Sequence, residues 1–387
     1  MGGAPLLVAA LLAAGPRAQV DAAMETSAHG GSDYPGPLGP AAARTLDLEP
    51  RLSVLLEQPL LQLTASYGPR LLLANGGESA VLSARQSASL AASWRQSRSL
   101  EWAVSGRFRY GRSELSWDPG VRHPFDSLEG LLPLVTDELS TDAALGLTFF
   151  PARGLRLDAS AGYAAYGGAS AASQQLVPLQ RGPQLYVALS HELTRADEVA
   201  AELYGSHTTA TGGLQSSLLK LTASWRRQLA PSTRGRVSLG TSLDKTDDAS
   251  QPGATDIFPV AAAEIEHDVL ERANRIELRA RAALEPHYSL LTADLQERAE
   301  LGASARLVVQ DRFSIRARAA AAKDVHGSAG GAHLWVTAIE TSFRFRNDVS
   351  LTAGAERVWQ QIAPGTPVPA AGWFAFTSLS FAAKDIL

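Results

Sequence analysis

From Leu46 to the C-terminus the chain alternates apolar and polar residues with a period of two, in segments of about ten residues; that rhythm permits only amphipathic strands. Residues 100–111 show it plainly. Leu100, Trp102, Val104, Phe108 and Tyr110 share one parity, and Glu101, Ser105, Arg107 and Arg109 share the other. Successive side chains of a strand point to opposite faces, so this segment has one greasy face and one charged face. A helix would scatter those charges around its circumference. The split recurs. Leu139, Ala143, Leu145, Leu147 and Phe149 oppose Glu138, Ser140, Asp142 and Thr148. Leu219, Leu221, Ala223 and Trp225 oppose Lys220, Thr222, Ser224 and Arg226. Ile276, Leu278, Ala280, Ala282 and Leu284 oppose Glu277, Arg279, Arg281 and Glu285. Residues 295–310 also fit a helix and are read as a strand because their neighbours are strands.

Many apolar-face residues are alanines, too small to fill the core between two packed sheets. Acyl chains fill such gaps, so the apolar face suits lipid. The connections alternate in length. Residues 95–99, 151–154, 194–198, 230–234, 270–274, 311–312 and 346–348 are short, and residues 111–136, 167–182, 206–213, 244–256, 286–294, 322–332 and 360–371 are longer. Bacterial barrels have short periplasmic turns and long extracellular loops. Trp94, Trp102, Phe149, Trp225, Phe313 and Phe345 all fall near short turns, where a ring of aromatics marks the membrane interface. The pattern predicts an all-β protein, a transmembrane antiparallel up-and-down β-barrel. Seventeen segments can be counted, and a single-chain bacterial barrel has an even number. The first, residues 46–58, contains Pro50 and precedes Pro59; proline cannot donate to a ladder. About sixteen strands are therefore expected, with fourteen and eighteen as alternatives.

Pro5 to Gly15 is a short apolar run that reads as the core of a signal peptide, residues 1–18, with cleavage as late as 22. Residues 19–45, rich in Gly, Pro and Ala, read as a flexible periplasmic lead-in, and residues 46–387 as the barrel. No run of about 18 apolar residues exists, which excludes a helical membrane protein. The absence of Cys excludes a disulfide scaffold and a thiolate metal site. A net charge of −4 argues against nucleic acid as a partner.

In this architecture, residues 46–387 resemble Gram-negative outer-membrane β-barrels, porin-like proteins among them. The last predicted strand, WFAFTSLSF, carries Trp373, Leu379 and Phe381 on one parity and is similar to the C-terminal assembly signal of such barrels. The resemblance implies the bacterial outer membrane as location, with its lipid and the barrel-assembly machinery as partners.

His287-Tyr288-Ser289 and His326-Gly327-Ser328 place a serine two residues after a histidine, as in certain barrel lipid esterases. A triad also needs an orienting acid. Both pairs fall in predicted loops, and the chain is expected not to be an enzyme. With no His pair at metal spacing and no phosphate-binding loop, neither metal nor cofactor is expected.

Two lumenal features are candidates. The longest loop, residues 111–136, carries Arg112, Glu114, Asp118, Arg122, His123 and Asp126. It either folds inward to narrow a pore or lies on the surface. Arg279, Arg281, Arg306, Arg316 and Arg318 share the inward parity on three consecutive predicted strands, near Glu264, Glu266 and Glu277. They form either a basic belt that favours anions or a cross-strand salt-bridge ladder. Three functions fit: a pore for small hydrophilic solutes, anions among them; an export port for an exopolysaccharide or similar polymer, served by periplasmic export partners; and a plugged structural or adhesive barrel.

Overall fold

A computed structural model describes residues 18–32, 44–75, 80–115, 134–247, 253, 255–271, 273–288, 295–326, 333–361 and 371–383. The strands are β1 (Ala18–Ser32), β2 (Arg44–Glu57), β3 (Leu61–Asn75), β4 (Ala80–Arg95), β5 (Leu100–Leu115) and β6 (Leu134–Ala152). Next come β7 (Leu155–Gly168), a short helix α1 (Ala171–Leu176), β8 (Gln180–Glu192), β9 (Asp197–Ala210), β10 (Gln215–Ala230) and β11 (Thr233–Asp247). The last are β12 (Thr255–Glu271), β13 (Asn274–Tyr288), β14 (Leu295–Val309), β15 (Phe313–His326), β16 (His333–Arg346), β17 (Val349–Gln361) and β18 (Ala371–Ala383).

Each strand pairs antiparallel with its neighbours in sequence, and β1 pairs with β18 from Ala22↔Ala383 to Ser32↔Trp373. The sheet closes into a barrel, which satisfies the ladder groups that an open sheet would leave at its edges. The strand count is eighteen rather than sixteen. Two strands are additional, β1 and β2; β1, apart from Ala18, lies within the residues expected to be a flexible lead-in and pairs on one side with β2 and on the other with β18. Residues 46–58, set aside because of Pro50, lie mostly in β2. Pro50 stands across from Pro69 where the β2–β3 ladder lapses between Leu48↔Leu71 and Leu52↔Tyr67. Two residues without an N–H meet there, so the loss is confined to one gap. The predicted signal peptide, apart from Ala18 in β1, lies outside the described residues.

The parity expected from sequence is the one observed. Leu145 and Leu221 are 51% and 53% exposed on the outer wall, while Asp142 and Glu202 on the other parity make ion pairs inside. Every short connection lies at one end of the barrel, as do the start of β1 and the end of β18. At that end Trp94 pairs with Trp102, and Trp225 Nε1 donates to Asp197 at 3.1 Å. Trp102 Nε1 likewise donates to Gln96 at 3.0 Å, so the rings lie in lipid while their N–H groups meet polar turns. A second aromatic row, with Tyr110, Trp335, Trp359 and Trp373, faces outward at the other end. Trp102 and Tyr110, Phe343 and Trp335, and Phe381 and Trp373 are each eight residues apart. At about 3.3 Å per residue and a tilt of about 40°, the rows bound a band roughly 20 Å tall.

Candidate functional site

The lumen takes its chemistry from the inward parity. All five arginines of the expected basic belt face inward, as do Glu264, Glu266 and Glu277, but the belt is not free. Arg279 lies 3.6 Å from Glu266, and Arg306 lies 3.7 Å from Glu277. Arg281 meets Glu285 at 2.7 Å and Glu300 at 3.7 Å, and Arg318 pairs with Glu356. Arg316 stands opposite Glu340 on one side and Arg306 on the other, and Glu264 opposite Arg281 and Arg236. Register causes two of these pairs, setting Glu266 directly across from Arg279 and Glu277 directly across from Arg306; Arg281 reaches Glu285 along its own strand, and Arg318 reaches Glu356 two strands away, so the salt-bridge ladder forms. Most of these pairs border lumenal water and are each worth about 0–1 kcal/mol. They cancel charge more than they add stability. Arg318 and Glu356 differ, because Glu356 is buried and Arg318 is largely covered.

Exchanging Arg281 and Arg318 for Ser together removes the arginine partners of Glu300 and Glu356 and leaves Glu285 with Lys220 alone, at 3.9 Å. The reversal potential across a potassium chloride gradient should therefore move toward cation selectivity. An unmoved potential would mean that these carboxylates do not face the conducting path.

A second arginine wall, which parity reasoning passed over, lies on β2 to β5, opposite in the strand circle. Arg70 pairs with Asp47, and Arg107 lies 2.9 Å from Asp142. Both walls are thus mixed in charge.

Farther from the short turns, the barrel is constricted by two segments that leave the wall. The β12–β13 ladder stops at Ala261↔Leu284. Yet β12 runs on to Thr255, paired with Lys245 of β11, and β13 runs on to Tyr288, paired with Leu295 of β14. The β13–β14 tip has therefore parted from its neighbour. It turns inward: Tyr288 is 3% exposed, and its hydroxyl lies 3.0 Å from Ser206 Oγ on β9, four strands away.

The second segment follows β7. Ser170 caps α1, its side chain accepting from the Ser173 N–H, and the chain returns through Val177, which is 1% exposed. Gly168 donates its N–H to the Val177 carbonyl at 2.9 Å. A Cβ at Gly168 would run into the Ser173 backbone, so only glycine permits this fold-back. Val177 packs with Ala164, Tyr166, Leu218 and Tyr288, and Tyr204 and Leu295 lie against that cluster. Inward side chains of β7, β9 and β10 thus meet the tip across the lumen. Nearby, buried Arg298 and Asp324 pair at 2.6 Å, with His287 Nε2 3.9 Å from Asp324.

Of the expected constriction loop, Arg112 and Glu114 fall in β5, and Asp118, Arg122, His123 and Asp126 lie outside the described residues, as do Ser289 and Ser328. The inward segments among the described residues are the β13–β14 tip and the one carrying α1. The inward tyrosines were missed as well. Tyr186 and Tyr204 are direct cross-strand partners, with Tyr166 and Tyr288 beyond them. The available signal was parity: Tyr204 shares a face with Glu202 and Ser206, both of which bond inside the barrel.

Residues 135–387 match the EpsX exopolysaccharide export family. No curated protein matches the chain in sequence. Among solved structures, the chain is similar to OpdQ of Pseudomonas aeruginosa, with TM-score 0.50 and 9% identity, covering 95% of this chain and 99% of that one. The outer-membrane protein OpdK of the same organism gives 0.50 and 10%, with the same coverages. OccAB2 of Acinetobacter baumannii gives 0.51 and 10%, over 95% and 98%. The fold is porin-like, and a closed barrel with a lipid-facing apolar wall belongs in the bacterial outer membrane.

Proposed function

Because the chain belongs to the EpsX exopolysaccharide export family, we propose that the barrel is the outer-membrane channel through which an exopolysaccharide leaves the cell. The observation that carries this reading is the run of inward tyrosines, Tyr186, Tyr204, Tyr166 and Tyr288, that leads up one side of the lumen into the constriction. A tyrosine offers an apolar ring to the C–H face of a sugar and a hydroxyl to its O–H groups. Paired arginines and glutamates supply further hydrogen-bonding groups without a net charge that would trap a polymer. A conduit needs binding that is weak and repeated, so that the cargo both enters and leaves. Export partners in the periplasm would deliver the polymer at the short-turn end, the barrel-assembly machinery would insert the barrel, and outer-membrane lipid would surround it. Passage of this kind needs no covalent chemistry, and no catalytic role is proposed.

In cells lacking the native gene, a barrel carrying Tyr186→Ala and Tyr204→Ala should restore polymer secretion several-fold less well than wild type. Its level in the outer membrane should be equal. Secretion at wild-type level would remove the tyrosines from the path.

A channel for small hydrophilic solutes is the second reading, supported by the porin-like barrel and its polar lumen. Liposome swelling with small sugars, measured without any export partner, tests it directly.

A further inference from the structure

On the outer wall, β15 to β18 present Lys323, His333 and Arg357 at the end away from the short turns. Among the described residues, no Asp or Glu shares the outward parity of these four strands. Elsewhere at that end Lys245 has a counter-charge on its own strand, Asp247 at 2.7 Å. We propose that Lys323 and Arg357 bind the phosphates of a phosphorylated saccharolipid, of the lipid A type, in the outer leaflet.

The geometry fits a headgroup. Arg357 stands directly across from Trp373, and Trp335 directly across from Trp359. The Arg357 guanidinium lies 4.4 Å from the centroid of the Trp359 ring. Stacked so, it keeps its N–H edge for two parallel bonds to one phosphate, the geometry in which arginine exceeds lysine. The tryptophans mark headgroup depth. A cation at mid-bilayer would cost about 2–4 kcal/mol and one at the interface about 0–1, so these cations sit where lipid phosphate is found. Lys323 lies two strands from Arg357 and four residues farther along, because Arg357 faces Thr337 and Thr337 faces Ala319. At about 4.8 Å per strand and about 3.3 Å per residue the two Cα atoms stand about 16 Å apart, a span that two long side chains can close onto the two phosphates of one sugar headgroup.

The test uses the whole barrel, stripped of lipid in non-ionic detergent and titrated with bis-phosphorylated lipid A or its dephosphorylated form by native mass spectrometry. Wild type should prefer the phosphorylated form by about tenfold. The double variant Lys323→Gln, Arg357→Gln should lose that preference, and Arg357→Lys should keep part of it. All variants should retain heat-dependent gel migration, which reports an intact barrel. Equal binding of the two lipids by wild type overturns the proposal, whatever the variants do. So does a preference that survives in the double variant. Oligomers present in wild type and absent in the double variant would assign the patch to a second copy of the chain instead.

Discussion

Arginine placed at Leu145 or Leu221 should destabilise the barrel by about 2–4 kcal/mol, the cost of a charge near the middle of the bilayer. Both side chains are half exposed on the outer wall. Each lies four residues from an aromatic of the short-turn girdle, Phe149 and Trp225 respectively, and so about midway across the apolar band. The control is Thr148→Arg. Thr148 faces inward, donates to Asp158 at 2.7 Å and stands opposite Glu101, so a new guanidinium there finds two carboxylates. Urea unfolding of barrels refolded in liposomes measures the difference. Equal losses at 145 and 148 would mean that the two faces have been exchanged.

Replacing residues 171–176 with two glycines should raise single-channel conductance several-fold. The excision removes α1 and frees Val177, the residue at the centre of the cross-lumen cluster. It leaves the wall intact, because β7 and β8 pair from Tyr166↔Gln180 to Leu155↔His191 without help from the helix. Tyr288→Ala should act on the same constriction from the other side, releasing the β13–β14 tip from Ser206. Since the tip has no ladder to β12 beyond Leu284, that variant should also flicker between conductance levels. Planar-bilayer recording reads both. Conductance equal to wild type after the excision would place the narrowest point of the channel elsewhere.

The barrel was legible because parity is local: Leu145 faces lipid and Asp142 faces the lumen wherever the strand lies. β1 was not legible for the same reason. Its outer face offers Ala22, Met24, Thr26 and Ala28, with no large aromatic, and the Gly–Pro-rich residues after it blur its end. What reveals it is pairing to β18, a partner at the far end of the chain. The inward direction of Arg279, Arg281, Arg306, Arg316 and Arg318 could be read from the sequence, but whether each meets a glutamate depends on a register no single strand encodes. The constriction was the least accessible. Ser206 and Tyr288 are 82 residues apart, and nothing in either segment announces the other.

The strand that closes the barrel is the first of the described strands, and its partner is the last. Bringing such ends together costs about 5 kcal/mol in chain entropy for a loop of this length, against about 1 for a tight hairpin. Seventeen pairings, from β1–β2 to β17–β18, can zip up between neighbours in sequence, but the eighteenth, β1–β18, has to wait for all of them. Until it forms, β1 and β18 are both open templates for a foreign strand. The order of events during insertion follows: the free edge of the N-terminal strand must be shielded while the rest of the wall assembles, and a chain cut short at its C-terminus leaves that edge without β18.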